Sequence, residues 1–450
     1  MKGHSRHSSK KGWLKKARRS LPQQSFLLAL RFKIPKILTP AIELLFFRNL
    51  DENRRLQFLI ILSTLLIQYH RKARFMTTIS PFLQIYLSFS DYRIASFCFI
   101  TAFVVAMVTI PLVIRLVNKY RLLDHPDERK DHLMPTPTLG GIAIITGMVI
   151  SILLWYPYSY SNEIATSFFS MAVLFGMGII DDLKDLSAKY KFIVEIALTA
   201  LIALSGLRIT TFGGLLGIEA IPLSAQYTIT IFAIVGITNA FNLIDGIDGL
   251  AGGLSFMTLV ALGLFLTMSG DNSFALVAFA LAGGVLAFLY FNMNPAKIFM
   301  GDTGSLVLGF VIAILCTRLI GFNAITLNAV LTQAPMFAFA LVLIPIFDTM
   351  RVFAIRIWKG RSPFSPDRTH IHHLLINSGF SHALATKIIC TLHAAILLEV
   401  YWLKDQMPEL IVLALILSML LITILFYKMK SLLNFFGFRI TAQQQLSMEN

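Results

Sequence analysis

Residues 225–269 read AQYTITIFAIVGITNAFNLIDGIDGLAGGLSFMTLVALGLFLTMS. Two apolar runs, 225–241 and 252–269, meet at the segment Asn239–Gly253, which holds two asparagines, two aspartates and four glycines. Each run is about long enough to cross a ~30 Å hydrocarbon core as a helix. The polar segment falls where the chain would leave that core. Working outward, nine more apolar runs appear, near 94–117, 138–157, 166–180, 191–206, 273–291, 306–320, 334–357, 383–403 and 408–427. Eleven in series predict an all-α polytopic membrane protein of about 11 transmembrane helices. Composition agrees, because 56% of the 450 residues are hydrophobic and 14% charged, whereas soluble domains hold about 25% charged residues.

The net charge of +15 suggests a nucleic-acid partner until it is located. Residues 1–75 carry 17 Lys/Arg against 3 Asp/Glu, and residues 76–450 carry 22 against 21. The basic character therefore belongs to a leader, and no nucleic-acid partner is expected. The chain reads as a basic leader (1–75), a multi-span membrane catalytic domain (76–430) and a cytoplasmic tail (431–450). The leader lacks the early apolar core of a secretory signal. Met76 is the expected start of the mature chain; a basic arm on anionic lipid or a marginal span at Leu56–Tyr69 are the alternatives. The cysteines Cys98, Cys316 and Cys390 lie in apolar runs and are assigned to packing.

Loop charge sets the orientation. Lys and Arg gather in the loops 118–137, 181–190 and 358–382 and in the tail, while the alternate loops hold one or none. The basic loops are cytoplasmic by the positive-inside rule. Charges within spans are costly, about 2.5–3.5 kcal/mol each near the centre, and here the main polar clusters sit at span ends on that basic side.

The first cluster is Asp181-Asp182-Leu183-Lys184-Asp185. Asp181 and Asp185, four apart, are expected on one helix face. Paired carboxylates suit a general base or, with phosphate, a magnesium site; a solvated helix end is the plain alternative. The second is the Asn239–Gly253 segment, with Asn239, Asn242, Asp245 and Asp248. Its oxygens suit a hard cation or the ribose and base of a nucleotide, and its glycines admit a ligand close to the backbone; an ordinary turn is the alternative. The third, Asn292–Ser305, leads into the eighth run. Asp302 or Thr303 is expected to cap that helix, leaving free amides for a phosphate neutralised by Lys297; simple capping is the alternative. The fourth, Arg361–His373, places Arg368 beside His370, His372 and His373. These read as donors to phosphate or pyrophosphate; zinc is disfavoured because no cysteine lies near. A minor patch at 127–132 offers Lys130 and His132 as phosphate or nucleotide contacts, with a solvated loop as the alternative.

In this order on alternate loops, DDLKD, NAFNLIDGIDGLAGG, NPAKIFMGDTGS and HIHH resemble the polyprenyl-phosphate N-acetylhexosamine-1-phosphate transferase superfamily (glycosyltransferase family 4) over roughly residues 94–380. The HIHH form resembles the branch that uses UDP-N-acetylglucosamine and undecaprenyl phosphate. The peptidoglycan branch, which transfers phospho-N-acetylmuramoyl-pentapeptide, usually carries HHH, and Ile371 interrupts that run here.

The resemblance implies magnesium, with manganese as a substitute, held directly by Asp302 and also by Asn242. It implies that Asp181 and Asp182 deprotonate or orient the lipid phosphate. Asp245 and Asp248, with Asn239, would face the nucleotide. His370, His372 and His373 would grip the donor pyrophosphate, helped by Lys297 and Arg368. The implied partners are a UDP-N-acetylhexosamine, undecaprenyl phosphate and membrane lipid, and a homodimer is a compatible assembly. The implied place is a bacterial inner membrane, with the site facing the cytoplasm. Two rivals stay open: the peptidoglycan-type transferase, and a transporter, which the one-sided placement of the clusters disfavours.

Overall fold

The computed structural model describes residues 81–120, 123–124, 136–157, 161–325, 331–362 and 369–435. The leader expectations, including Leu56–Tyr69 and Met76, lie outside the described residues. The chain divides into two compact units, Met1–Tyr86 and Leu87–Asn450. Only the start of the first helix is described in the first unit; every site below belongs to the second.

Twelve α-helices are described: α1 (Pro81–Tyr120), α2 (Gly140–Trp155), α3 (Asn162–Lys184), α4 (Ala188–Ser205), α5 (Leu223–Ile244), α6 (Leu250–Ser269), α7 (Asn272–Asn292), α8 (Asp302–Ile325), α9 (Ala334–Trp358), α10 (Ile371–Asn377), α11 (His382–Trp402) and α12 (Pro408–Phe435). Each of the eleven apolar runs falls on one of them. Nine are long and apolar enough to cross a membrane: α1, α3, α5 to α9, α11 and α12. The other two that carry an apolar run are α2, whose 16 residues reach about 24 Å, and α4, whose 18 residues include Lys189, Lys191 and Glu195. This is a multi-pass membrane protein.

Helix α8 is the axle of the bundle. It packs against α2, α3, α5, α6 and α9, and 83% of its apolar window is buried, against 28% for α1 and for α12. The difference follows from what each helix faces. The outer helices expose rows such as Phe97, Ile100, Val104 and Val108 of α1, an apolar surface whose solvent is lipid. In contrast α8 is apolar all round and meets protein on every side, as a buried helix should.

The N-terminal end of α8 is tied down by backbone. Gly140 and Gly141, which open α2, donate to the carbonyls of Phe299 and Met300 at 2.9 Å each, and the Phe299 amide donates to Pro137 at 2.8 Å. Strands β1 (Leu123–Asp124) and β2 (Thr136–Pro137) pair antiparallel across the intervening loop. The ends of α3, α5 and α7 and the starts of α4, α6 and α8 therefore fall on one side of the bundle, where the polar clusters lie.

Candidate active site

Helix α3 ends at Lys184 because Asp185 takes a left-handed conformation, φ 49°. Asp185 therefore leaves the helix and does not share a face with Asp181, contrary to the expectation from spacing. Asp181 and Asp182, in the last turn, point to different partners. Asp182 Oδ1 accepts from the Asp302 amide at 2.7 Å, and Oδ2 accepts from the Thr303 amide at 3.0 Å and from the Thr303 hydroxyl. Asp182 is thus the N-terminal cap of α8, supplied from another helix. Neither Asp302 nor Thr303 caps its own helix, and these two amides are not free for phosphate. Gly301 sits in the gap at φ 72°. A Cβ there would meet Asp182 Oδ2 at 2.5 Å, so both backbone shape and space require glycine.

Asp181 instead pairs with a cation. Its Oδ1 accepts from the Leu186 amide at 2.7 Å, and its Oδ2 accepts from Lys191 Nζ at 2.7 Å. The same ammonium donates to Asp302 Oδ2 at 2.8 Å. Lys191, on the first turns of α4, therefore joins the carboxylates of α3 and α8. In sequence it is a single charge at the edge of an apolar run. Asn242, near the end of α5, donates to Asp302 Oδ1 at 3.0 Å and to Ser305 Oγ at 2.8 Å.

The Asn239–Gly253 segment forms the end of α5, a turn, and the start of α6. Asn239 donates both amide hydrogens, to Glu195 of α4 and to the Val235 carbonyl at 2.9 Å. Asp245 is half-buried, and its carboxylate has no partner among the described residues. Burial first, then the carboxylates of Asp302, Asp182 and Asp248, push its pKa up to about 7. Asp248 is structural at its outer oxygen: Oδ2 accepts from Asn294 Nδ2 at 3.2 Å and from the Ala296 amide at 3.1 Å, which shapes the loop before α8. Asn292, which opens the third cluster, links the Gly249 amide to the Ile298 carbonyl at 2.9 Å each. Lys297 on that loop is exposed, and its ammonium has no partner among the described residues.

The histidines start α10. His370 and His372 are buried, their rings stacked with centroids 5.7 Å apart, and His373 lies 4.3 Å from His372. His372 packs on the α5–α6 turn so closely that a Cβ at Gly246 would meet its Nε2 at 2.5 Å. Burial, reinforced by His373, lowers the His372 pKa to about 3, so this ring is neutral at physiological pH. The fold thus brings the second and fourth clusters together, as it does the first and third. Lys130, His132 and Arg368 lie outside the described residues.

The donor set can be tested against magnesium. Two carboxylate oxygens, from Asp181 and Asp302, converge on one cationic atom. Magnesium takes one or two carboxylates and completes its shell with water and phosphate oxygens, so an oxygen-lined, partly open set fits it. No group of three or more His, Cys, Asp or Glu side chains suited to a metal occurs among the described residues. Asn242 turns its amide nitrogen, not its oxygen, toward Asp302, and would have to reverse to serve as a ligand. The residues fit a cation that is shared with a phosphate ligand rather than caged by protein alone.

A further charged cluster occupies the opposite ends of α3 and α8. Arg318 donates to Glu163 at 2.8 Å and to Asp271. The expectation that the polar clusters lie on one side only is corrected by this network. These charges sit inside or beside apolar runs and escaped notice because each is isolated in sequence.

Comparison with known proteins agrees with the geometry. The model for glycosyl transferase family 4 matches residues 164–320, from the start of α3 into α8. A probable undecaprenyl-phosphate N-acetylglucosaminyl 1-phosphate transferase of Bacillus subtilis (strain 168) is 36% identical over 296 residues, 64% of this chain and 80% of that protein. Undecaprenyl-phosphate alpha-N-acetylglucosaminyl 1-phosphate transferases of Yersinia pestis and Escherichia coli (strain K12) are each 33% identical, over 70% and 67% of this chain and 86% and 83% of theirs. With four motifs folded into one site and four-fifths or more of such relatives matched, this chain belongs to glycosyl transferase family 4.

Proposed function

We propose that the protein transfers N-acetylglucosamine-1-phosphate, or a related N-acetylhexosamine-1-phosphate, from a UDP-sugar to undecaprenyl phosphate, releasing UMP. The observation that carries this reading is the Lys191 ammonium held between Asp181 and Asp302 at the end of the buried helix α8. The names of the relatives supply the lipid acceptor and the sugar. We read the site as lying at the cytoplasmic face of a bacterial inner membrane, where a soluble nucleotide meets a lipid; the basic loops support this reading. A homodimer is compatible with this reading.

In this reaction an oxygen of the lipid phosphate attacks the β-phosphorus of the donor, and the bond to UMP breaks. Two anions must approach, so neutralisation is the main catalytic task. Lys191 supplies a positive charge already placed between the two helices that carry Asp181 and Asp302. Lys297, exposed on the α7–α8 loop, supplies a second. Asp182 holds Asp302 in place through the α8 amides; with both oxygens committed there, we assign it positioning rather than proton removal. Asp181 shares Lys191 and orients it. Asp245 and Asn239 line the nucleotide side, and Asp248 holds the loop that carries Lys297. His370 and His373 contact the donor pyrophosphate, while neutral His372 packs the α10 segment onto the α5–α6 turn.

A magnesium ion, held by Asp302 with Asn242, would polarise the phosphoryl group and offset charge on the leaving phosphate. A membrane assay with radiolabelled UDP-N-acetylglucosamine and undecaprenyl phosphate tests the reading. Lipid-linked label with stoichiometric UMP, abolished by chelation and restored by magnesium, is the expected result. Label from another UDP-N-acetyl sugar alone would change the donor. No product from any of them would overturn the reading.

A further inference from the structure

Asp348 lies within α9, three residues beyond Pro345, with no solvent exposure. A carboxylate inside an apolar helix is costly unless its oxygens are used, and here both are. Oδ2 lies 2.8 Å from His370 Nδ1. Oδ1 accepts from the Ile371 amide at 2.9 Å and from Arg351 Nη2 at 2.8 Å. Arg351 in turn donates to the Thr369 carbonyl and, at 3.0 Å, to the Tyr427 hydroxyl of α12. The backbone on both sides of His370, and one nitrogen of its ring, are therefore fixed to a single α9 carboxylate and its guanidinium partner.

The chemistry of the ring follows from that contact. An ionised carboxylate only accepts hydrogen bonds, so Nδ1 carries a proton toward Asp348. Nε2 is the free end of the ring and has no partner among the described residues. A hydrogen bond from this ring to an anionic oxygen must run through Nε2–H, and the carboxylate behind the ring balances the resulting imidazolium. The adjacent histidine ring abuts the Asp245–Gly246 turn, so this segment borders the candidate site.

We propose that Asp348 is a positioning residue for the transfer reaction, holding His370 by Nδ1 so that Nε2 addresses an anionic oxygen of the donor pyrophosphate. This rests on the reading of His370 as a pyrophosphate contact. Two measurements on the full-length protein in lipid nanodiscs test it. In the first, ¹⁵N-histidine NMR, with the His370 signals identified by their loss in His370→Gln, reads the ring directly. Protonated Nδ1 in the wild type is expected; a ring protonated on Nε2 alone overturns the proposal whatever the activity. In the second, Asp348→Asn is expected to lower kcat by roughly 10–100-fold, the usual cost of losing an outer orienting group, with the donor KM within about threefold. Placed on His370→Ala, the same change is expected to cost nothing further, because Asp348 acts through that ring. Losses that multiply in the double variant, or a donor KM that carries the whole effect, overturn the proposal. If Asp348→Asn fails to fold, the wild-type spectrum still decides. A wild type that makes no product from any UDP-sugar would sink the transferase reading while leaving the ring assignment to the spectrum.

Discussion

Helix α8 carries a charged cluster at each end, and the two ends are built differently. At one end Arg318 is paired with Asp271 and Glu163, its guanidinium 4.8 Å from the Phe274 ring and 4.9 Å from the Phe322 ring. One cation meets two acids and is packed between aromatic faces, as in a structural tie. At the other end Lys191 is shared by Asp181 and Asp302, Asp182 caps the helix, and the Asp245 carboxylate has no partner among the described residues. Acids outnumber the cation at both ends, but only here does a carboxylate stand without a partner among the described residues. A closed cluster, whose acids are all paired, stabilises a bundle; an open one, with an unpaired carboxylate, suits the proposed cation and phosphate.

The contrast can be broken by substitution. Lys191→Ala removes the central cation of the open end. It is expected to cut transfer by at least ~10²-fold, the scale for losing one preorganised electrostatic group, measured as initial rate per folded protein. Asp182→Asn weakens the cap on α8. It is expected to cost roughly 10-fold in rate and about 1 kcal/mol in stability, read by the same assay and by thermal unfolding in detergent. Arg318→Met breaks the closed end. It is expected to lower stability by on the order of 2–3 kcal/mol, since Asp271 is left buried and unpaired, while the rate per folded molecule stays within about threefold. A rate loss there comparable to Lys191→Ala would erase the distinction between the ends.

The last prediction concerns pH. His372 titrates near 3 in the fold and near 6.5 unfolded. Below about 6.5 the unfolded chain binds the extra proton, so stability is fully present at neutral pH and declines as pH falls toward 3, by up to about 1.4 kcal/mol per unit. His372→Gln is expected to flatten this acid limb in thermal unfolding scans between pH 7 and pH 4. An unchanged slope would show that the ring does not carry it.

The sequence reading succeeded where signals were contiguous. Each apolar run became a helix because length and hydropathy in lipid leave few alternatives. The clusters at 181–185, 239–253, 292–305 and 370–373 were visible because polar residues concentrate between runs. What escaped was isolated or reassigned by packing. Lys191 and Glu195 sit one turn apart at the start of a run, and Asp348 and Arg351 lie inside another; single charges in apolar helices were the available signal. Asp182 resembled a base beside Asp181, yet α8 draws its oxygens to the amides of Asp302 and Thr303. No spacing rule shows which of two adjacent acids faces a neighbouring helix across 120 residues of sequence.

The most direct test is the transfer assay on Asp302→Ala beside the wild type, both quantified as folded protein by size-exclusion chromatography. The account predicts lipid-linked sugar phosphate and UMP from the wild type, and at least ~10²-fold less from the variant at equal folded yield. A variant that transfers at the wild-type rate would contradict the assignment of the chemistry to this end of α8.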